Sequence, residues 1–353
     1  MASFSNAPLE IITEIIDALQ DDSSTLRSCS QTCLALLPLC RKYIFRSITL
    51  TCGPRPRVQP RKYYRRGTIT SFRKILDSDP VIADYVQNII YRMGDCDIQN
   101  GDEMPRILGK LHRVRSFKII GCSYGDSDWN KMHRKLRESL SRIIQSSVTH
   151  LEMEHFRNLP ITIFIPWVKL TSLTLKDIQS TIVNYKTRKN FSPELVPQLQ
   201  SFNFGVDVSR YVMSLVEARR CKDLPVIDFS HLQTLVVKVA DHSDREAVNA
   251  LIKVTEMLEN LHYEVNDFAD GYKGLAASIN PSSFSTLKRL YLHFHLRNHT
   301  QDPLCGIDVE LKALSGLTVI EEIDLDATVN TSNELGKLDS VLATGFPFLK
   351  QLT

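Results

Sequence analysis

The chain has 353 residues and a mass of 40.2 kDa, with 43% hydrophobic and 24% charged residues, a net charge of +3 and a pI near 8.3. Such a composition excludes disordered and fibrous classes, the charge is too balanced to imply a nucleic-acid or membrane partner, and the length suggests about two domains. Met1 to Ala7 carries no basic run ahead of an apolar stretch, and no apolar run approaches the ~18 residues of a membrane span; with eight cysteines in no regular pairing, the expectation is a protein of reduced thiols in the cytosol or nucleus.

The first fifty residues hold three short helical patterns. Ile11, Ile15 and Leu19 recur every four residues with Ile12 and Ile16 beside them, one broad apolar stripe. Pro8 and Glu10 suit a first helical turn: proline lacks only a donor that would be orphaned there, and the carboxylate meets the positive dipole end. Asp22 or Ser23 can cap a second helix, whose apolar positions are Leu26, Cys29, Cys33 and Leu37. Pro38 stops it and opens a third, with Leu39, Tyr43 and Ile44 inward. The first helix carries more apolar surface than so small a module can bury, which points to a partner. The alternative is a plain three-helix module that packs only on the rest of the chain.

The order of these signals resembles the F-box family. A Leu-Pro-x-Glu-Ile-type opening is matched by Ala7-Pro8-Leu9-Glu10-Ile11, with alanine in the leucine position, and a Cys-containing second helix is matched at Cys33. The resemblance covers residues 4–48. It implies docking on a Skp-type adaptor and, through it, a cullin scaffold in an SCF ubiquitin ligase. By position, Pro8, Leu9, Ile11, Ile12, Ile15 and Cys33 are the candidates for that interface.

Residues 53–67, GPRPRVQPRKYYRRG, hold three prolines and six basic residues with no acid. Proline excludes a continuous helix or central strand. The segment reads as a solvated loop joining two domains, with a localisation or nucleic-acid patch using Tyr63 and Tyr64 as the other reading.

From there one pattern returns: apolar, two residues, apolar, one residue, apolar. It runs through Phe45-Ile48-Leu50, Val86-Ile89-Tyr91, Val114-Phe117-Ile119, Val148-Leu151-Met153, Leu170-Leu173-Leu175, Leu199-Phe202-Phe204, Leu232-Leu235-Val237, Leu258-Leu261-Tyr263, Leu287-Leu290-Leu292 and Ile320-Ile323-Leu325, and ends truncated at Phe346-Leu349. From Ile89 onward the copies are spaced by 22 to 34 residues. Helical patterns fill the gaps: Phe72, Ile75 and Leu76; Met132, Leu136, Leu140 and Ile143; Val248, Leu251, Val254 and Leu258. Strand, helix, strand, repeated, gives parallel strands with helices outside.

This is a loosened leucine-rich-repeat pattern, in which stacked copies bury a core that none could bury alone. The predicted fold is α/β: an all-α F-box-like module (1–50), a basic Pro-rich loop (51–68) and an irregular solenoid (69–353). The combination resembles the large F-box families of mushroom-forming fungi. In such a solenoid the residue between the last two apolar positions points to the concave side. That ladder is Ile90, Lys118, Glu152, Thr174, Asn203, Val236, His262, Tyr291, Asp324 and Lys350. Its mixed character suits a protein target better than a phosphate backbone.

No catalytic motif stands out, and the chain reads as a non-enzyme without cofactor. Cys29, Cys33, Cys40 and Cys52 lack zinc spacing, and Cys29 and Cys33 read as small residues on a buried helix face. Residues 95–101 miss the calcium-loop pattern, with Arg106 where a closing Glu belongs. His293 and His295 share a strand face without a third ligand. Asn190, Asn298 and Asn330 match the glycosylation pattern by chance in a chain without a secretory signal. Three readings remain: an SCF substrate-recognition subunit, a repeat-built interaction scaffold whose N-terminal helices are only a cap, and, as the third option, an enzyme whose site is borne by the fold without a motif.

Overall fold

The computed structural model describes residues 8–52, 68–94, 102–122, 127–179, 195–220, 223–266, 270–295, 306–328 and 335–353. The basic segment 55–66, the calcium-like stretch 95–101 and the three glycosylation matches lie outside them. Each apolar triplet of the repeat pattern delivers one parallel strand, and the chain divides into two units, residues 1–122 with 132–148, and residues 123–131 with 149–353.

In the first unit, α1 (Leu9–Ala18), α2 (Ser23–Thr32) and α3 (Leu36–Ile44) precede β1 (Ser47–Thr51), α4 (Thr68–Ser78), β2 (Asn88–Arg92), α5 (Glu103–Leu108), β3 (Ser116–Ile120) and α6 (Arg134–Ser147). The strands pair in parallel, β1 with β2 and β2 with β3. Ile12, Ile16, Leu26, Leu36 and Cys40 form a small core among the first three helices, edged by Leu19, Cys29, Leu39, Tyr43 and Ile44. Asp22 caps α2 through Ser24 and Thr25; the Thr25 hydroxyl bond, first among several, holds its carboxyl down at about 2. Pro8 gives α1 no side-chain cap, so packing must hold this helix. The Tyr43 hydroxyl bonds the Asp17 carboxylate and ties α3 to α1. The Phe45 and Phe72 rings, 6.5 Å apart, and an Arg41–Asp79 pair at 2.7 Å join α3 to α4 and its exit.

The second unit holds β4 (His150–Arg157), β5 (Ser172–Gln179), β6 (Ser201–Phe204), α7 (Ser209–Glu217), β7 (Thr234–Val239), α8 (His242–Lys253), β8 (Asn260–Asn266), α9 (Leu275–Ser278), β9 (Arg289–His295), α10 (Ile307–Leu314), β10 (Glu322–Thr328), α11 (Leu335–Gly345) and β11 (Gln351–Leu352). All eight strands pair in parallel in chain order. This is the α/β solenoid expected, in this unit by itself. The inner residues, among them Leu173, Leu175, Phe202, Phe204, Leu261 and Tyr263, are fully buried.

One backbone device recurs from turn to turn in the second unit. The carbonyl just before a strand accepts two consecutive N–H groups from the entry of the next strand. Thr171 O takes Gln200 and Ser201, Gln200 O takes Gln233 and Thr234, Gln233 O takes Glu259 and Asn260, and Glu259 O takes Lys288 and Arg289. Shared acceptors satisfy donors that would otherwise be orphaned at each strand entry. In β4 and β5 the alternation is broken once, at His155 (φ 60°) and Asp177 (φ 49°). Their side chains bond at 2.7 Å, and the inward pattern resumes at Phe156 and Ile178.

Several expectations are corrected. The second helix ends at Thr32, and Cys33 is an exposed, extended C-cap, not a buried helix residue. Leu36 takes the buried place given to Leu37, and Pro38 sits inside the first turn of α3, where its missing donor costs nothing. Val254 lies past the end of α8 and is exposed. The final strand pairs Leu352, not Leu349, with Ile323; Lys350 instead donates its N–H to Glu321 O at the strand entry. Cys52 is disulfide-bonded, so the reduced-thiol expectation fails there; spacing alone does not reveal pairing. Cys29, Cys33 and Cys40 carry unbridged thiols, and the Cys122 thiol donates to the Met93 carbonyl at 3.4 Å.

Candidate functional site

Two surfaces, one in each unit, carry the candidate residues. The first is the outer side of α1. Ile12 and Ile16 are buried, while Leu9, Ile11 and Ile15 are exposed at 61%, 50% and 47%. On a helix, Ile12, Ile16 and Leu19 make one stripe, and Ile11, Ile15 and Ala18 make a second, one residue and ~100° out of phase. The inner stripe builds the module core. The outer stripe, with Pro8 at its start, faces solvent. Of the six residues expected at an adaptor interface, Pro8, Leu9, Ile11, Ile15 and Cys33 are exposed. Ile12 belongs to the core, because its neighbour in the inner stripe is Ile16. Leu34, which sequence reasoning passed over, is 87% exposed beside Cys33; it lies in the link between α2 and α3, where no periodicity marks it.

The second surface is the outward face of the second unit's sheet. Glu152, Thr174, Asn203, Val236, His262, Tyr291 and Asp324 are direct register partners from β4 to β10. All seven are partly buried. Ile90 and Lys118 are partners on β2 and β3 in the first unit. The strands continue beyond the repeat triplet, so a further outward row follows two residues on: Glu154, Lys176, Lys238, Glu264, His293 and Asp326. Apart from His293, sequence reasoning missed this row, although extending the alternation by one step would have found it.

These rows are laced together. Lys176 reaches Glu152 at 2.7 Å and Glu154 at 3.2 Å; the bond to Glu152 raises the lysine's pKa. Lys238 pairs with Glu264 at 2.6 Å and Arg289 with Glu322 at 3.1 Å. His262 stacks on Tyr291 with centroids 5.7 Å apart and 28° between planes, and lies 4.8 Å from His293. Burial, and then the neighbouring His293, hold His262 below the ordinary imidazole range. Burial raises the Tyr291 phenol. Behind the face, the Tyr272 hydroxyl donates to the His293 carbonyl at 2.9 Å, with the Tyr263 carbonyl at 3.3 Å.

A cleft of about 590 Å³ opens at the strand entries, where Leu195, Val196 and Met257 meet Gln198, Gln200 and Gln233. Among the described residues no three His, Cys, Asp or Glu side chains gather as a metal site, and no helix is long and apolar enough to cross a membrane.

No family model matches the chain, and no curated protein matches it. Among solved structures it is similar to the leucine-rich repeat-containing protein LegL7 from Legionella pneumophila, at 12% identity over 86% of this chain and 89% of that one, with a TM-score of 0.41.

Proposed function

We propose that this protein is a two-ended interaction subunit of an SCF-type ubiquitin ligase. Residues 1–50 dock on a Skp-type adaptor, residues 51–68 connect, and residues 69–353 hold a protein target on the outward ladder. The observation that carries the reading is the split of α1 into an inner stripe that makes the core and an outer stripe, Leu9, Ile11 and Ile15, that stays exposed. Exposed apolar side chains in contiguous array favour association. The residues exposed are five of the six that the F-box resemblance assigns to the adaptor. The protein itself performs no chemistry in this scheme. It raises the effective concentration of acceptor lysines on the target near the ubiquitin-charged enzyme carried by the cullin.

A second reading, a scaffold without a ligase link, draws on the Arg41–Asp79 pair and the Phe45–Phe72 contact. These tie α3 to α4 and its exit, the kind of contact by which an N-terminal cap covers a first repeat. Co-expression of the full chain with a Skp-type adaptor separates the two. Co-purification of a stoichiometric complex supports the ligase reading, and a folded chain that elutes alone supports the scaffold.

A further inference from the structure

The ladder face is uneven in charge. In the ladder row and the rows two residues to either side of it on β4 to β10, six carboxylates (Glu152, Glu154, Glu264, Glu322, Asp324 and Asp326) face three cations, Lys176, Lys238 and Arg289, with Arg157 adding an exposed cation past the β4 irregularity. This is an acidic face on a chain of net charge +3. All three cations are engaged, on Glu152 with Glu154, on Glu264 and on Glu322. Among the described residues Asp324 forms no ion pair, and Asp326 has only the His293 imidazole, at 3.9 Å.

Asp324 and Asp326 lie beside the aromatic part of the face. Asp324 is the register partner of Tyr291, and Asp326 of His293. Tyr291 is braced from the other side by the stacked His262 ring. An aromatic ring with one carboxylate in register beside it and a second two residues further along the same strand recognises a planar cation twice: the ring quadrupole attracts it face-on, and the carboxylates accept from its forked donors. A phosphate-bearing polymer or an anionic membrane would be repelled by the same acids.

We propose that Tyr291, Asp324 and Asp326, braced by His262 and His293, form a docking site for an arginine-bearing segment of a partner protein. The inference rests on the ladder being the target-binding face and names the chemistry of that target.

The test is a fluorescence-anisotropy titration of the full chain at about 0.15 M salt, with short labelled peptides that alternate glycine with arginine, with glutamate or with glutamine. The arginine peptide binds the wild type best. Asp324→Asn with Asp326→Asn, and separately Tyr291→Ala, weaken it about fivefold. Glu246→Gln with Glu256→Gln, which removes the same charge away from the face, leaves it unchanged. Equal binding of the arginine and glutamine peptides, or equal binding by the Asp324/Asp326 variant, overturns the proposal. A randomised peptide library selected on the full chain separates this from the ladder reading. Arginine-rich peptides lost on Asp324→Asn/Asp326→Asn support both. Peptides without arginine that are lost on Thr174→Arg/Asn203→Arg keep the ladder and overturn the arginine site. Peptides indifferent to both pairs, or no enrichment, overturn both.

Discussion

Ile11 and Ile12 are adjacent in the chain and face opposite environments: Ile12 is 8% exposed and packs in the three-helix core, while Ile11 is 50% exposed. The hundred-degree step of the helix produces this split, and Ile15 and Ile16 repeat it one turn later, at 47% and 2%.

The two stripes should respond oppositely to substitution. Ile16→Ala removes buried methyl groups from a small core and is expected to cost about 2–4 kcal/mol. Ile11→Lys with Ile15→Lys places a good helix former on the outer side and should stay within about 0.5 kcal/mol of wild type. Thermal unfolding followed by circular dichroism checks both. An outer-stripe variant as unstable as Ile16→Ala would mean that Ile11 and Ile15 are core.

The His262–Tyr291 stack should make the second unit acid-sensitive. Burial lowers the His262 pKa in the folded chain, so the unfolded chain takes up the proton first and stability falls as pH drops below the unfolded imidazole value, ~6.5. The charged and titratable groups around it are His293, Glu264, Lys238, Asp324 and Tyr291. Between pH 7.5 and 5.5 the melting temperature is expected to fall, and His262→Phe should reduce that fall. An identical pH dependence in the variant would show that His262 contributes nothing to it.

Tyr272 should matter more than its distance from the surface suggests. Its hydroxyl serves the His293 carbonyl, and it is fully buried. Tyr272→Phe leaves that carbonyl short of a donor and should cost about 1–2 kcal/mol. Because His293 sits on the outward face, partner binding should also weaken. Chemical denaturation measures the first effect.

Gly345 closes the last helical turn against Ser315. A Cβ there would lie 2.6 Å from Ser315 Oγ and 3.0 Å from its Cβ. Gly345→Ala should destabilise by about 1–2 kcal/mol, and Ser315→Gly in the same chain should recover part of the loss. Additive losses in the double variant would contradict the contact.

Much of the fold was legible because its inner residues obey a short local rule. Leu173 and Leu175 or Leu261 and Tyr263 announce a buried strand edge by alternation alone, and the ladder partners follow from it. The rule broke where a neighbour intervened. At the final strand, Phe346 and Leu349 imitate the triplet, but the shared carbonyl of Glu321 takes Lys350 and Gln351 and shifts the register by three residues. Around Cys33 the periodicity of α2 continues in sequence after the helix has ended at Thr32. On α1, five neighbouring apolar residues hide which stripe faces inward; the packing of Leu26, Leu36 and Cys40 decides it.

The most direct measurement is an isothermal titration of the full chain with a purified Skp-type adaptor, repeated with Ile11→Lys/Ile15→Lys and with Thr174→Arg/Val236→Arg. Binding is expected at about micromolar affinity or tighter, with a loss of about a hundredfold for the α1 pair and no change for the ladder pair. A folded wild-type chain that gives no binding heat, or an Ile11/Ile15 variant that binds as well as wild type, would contradict the ligase reading.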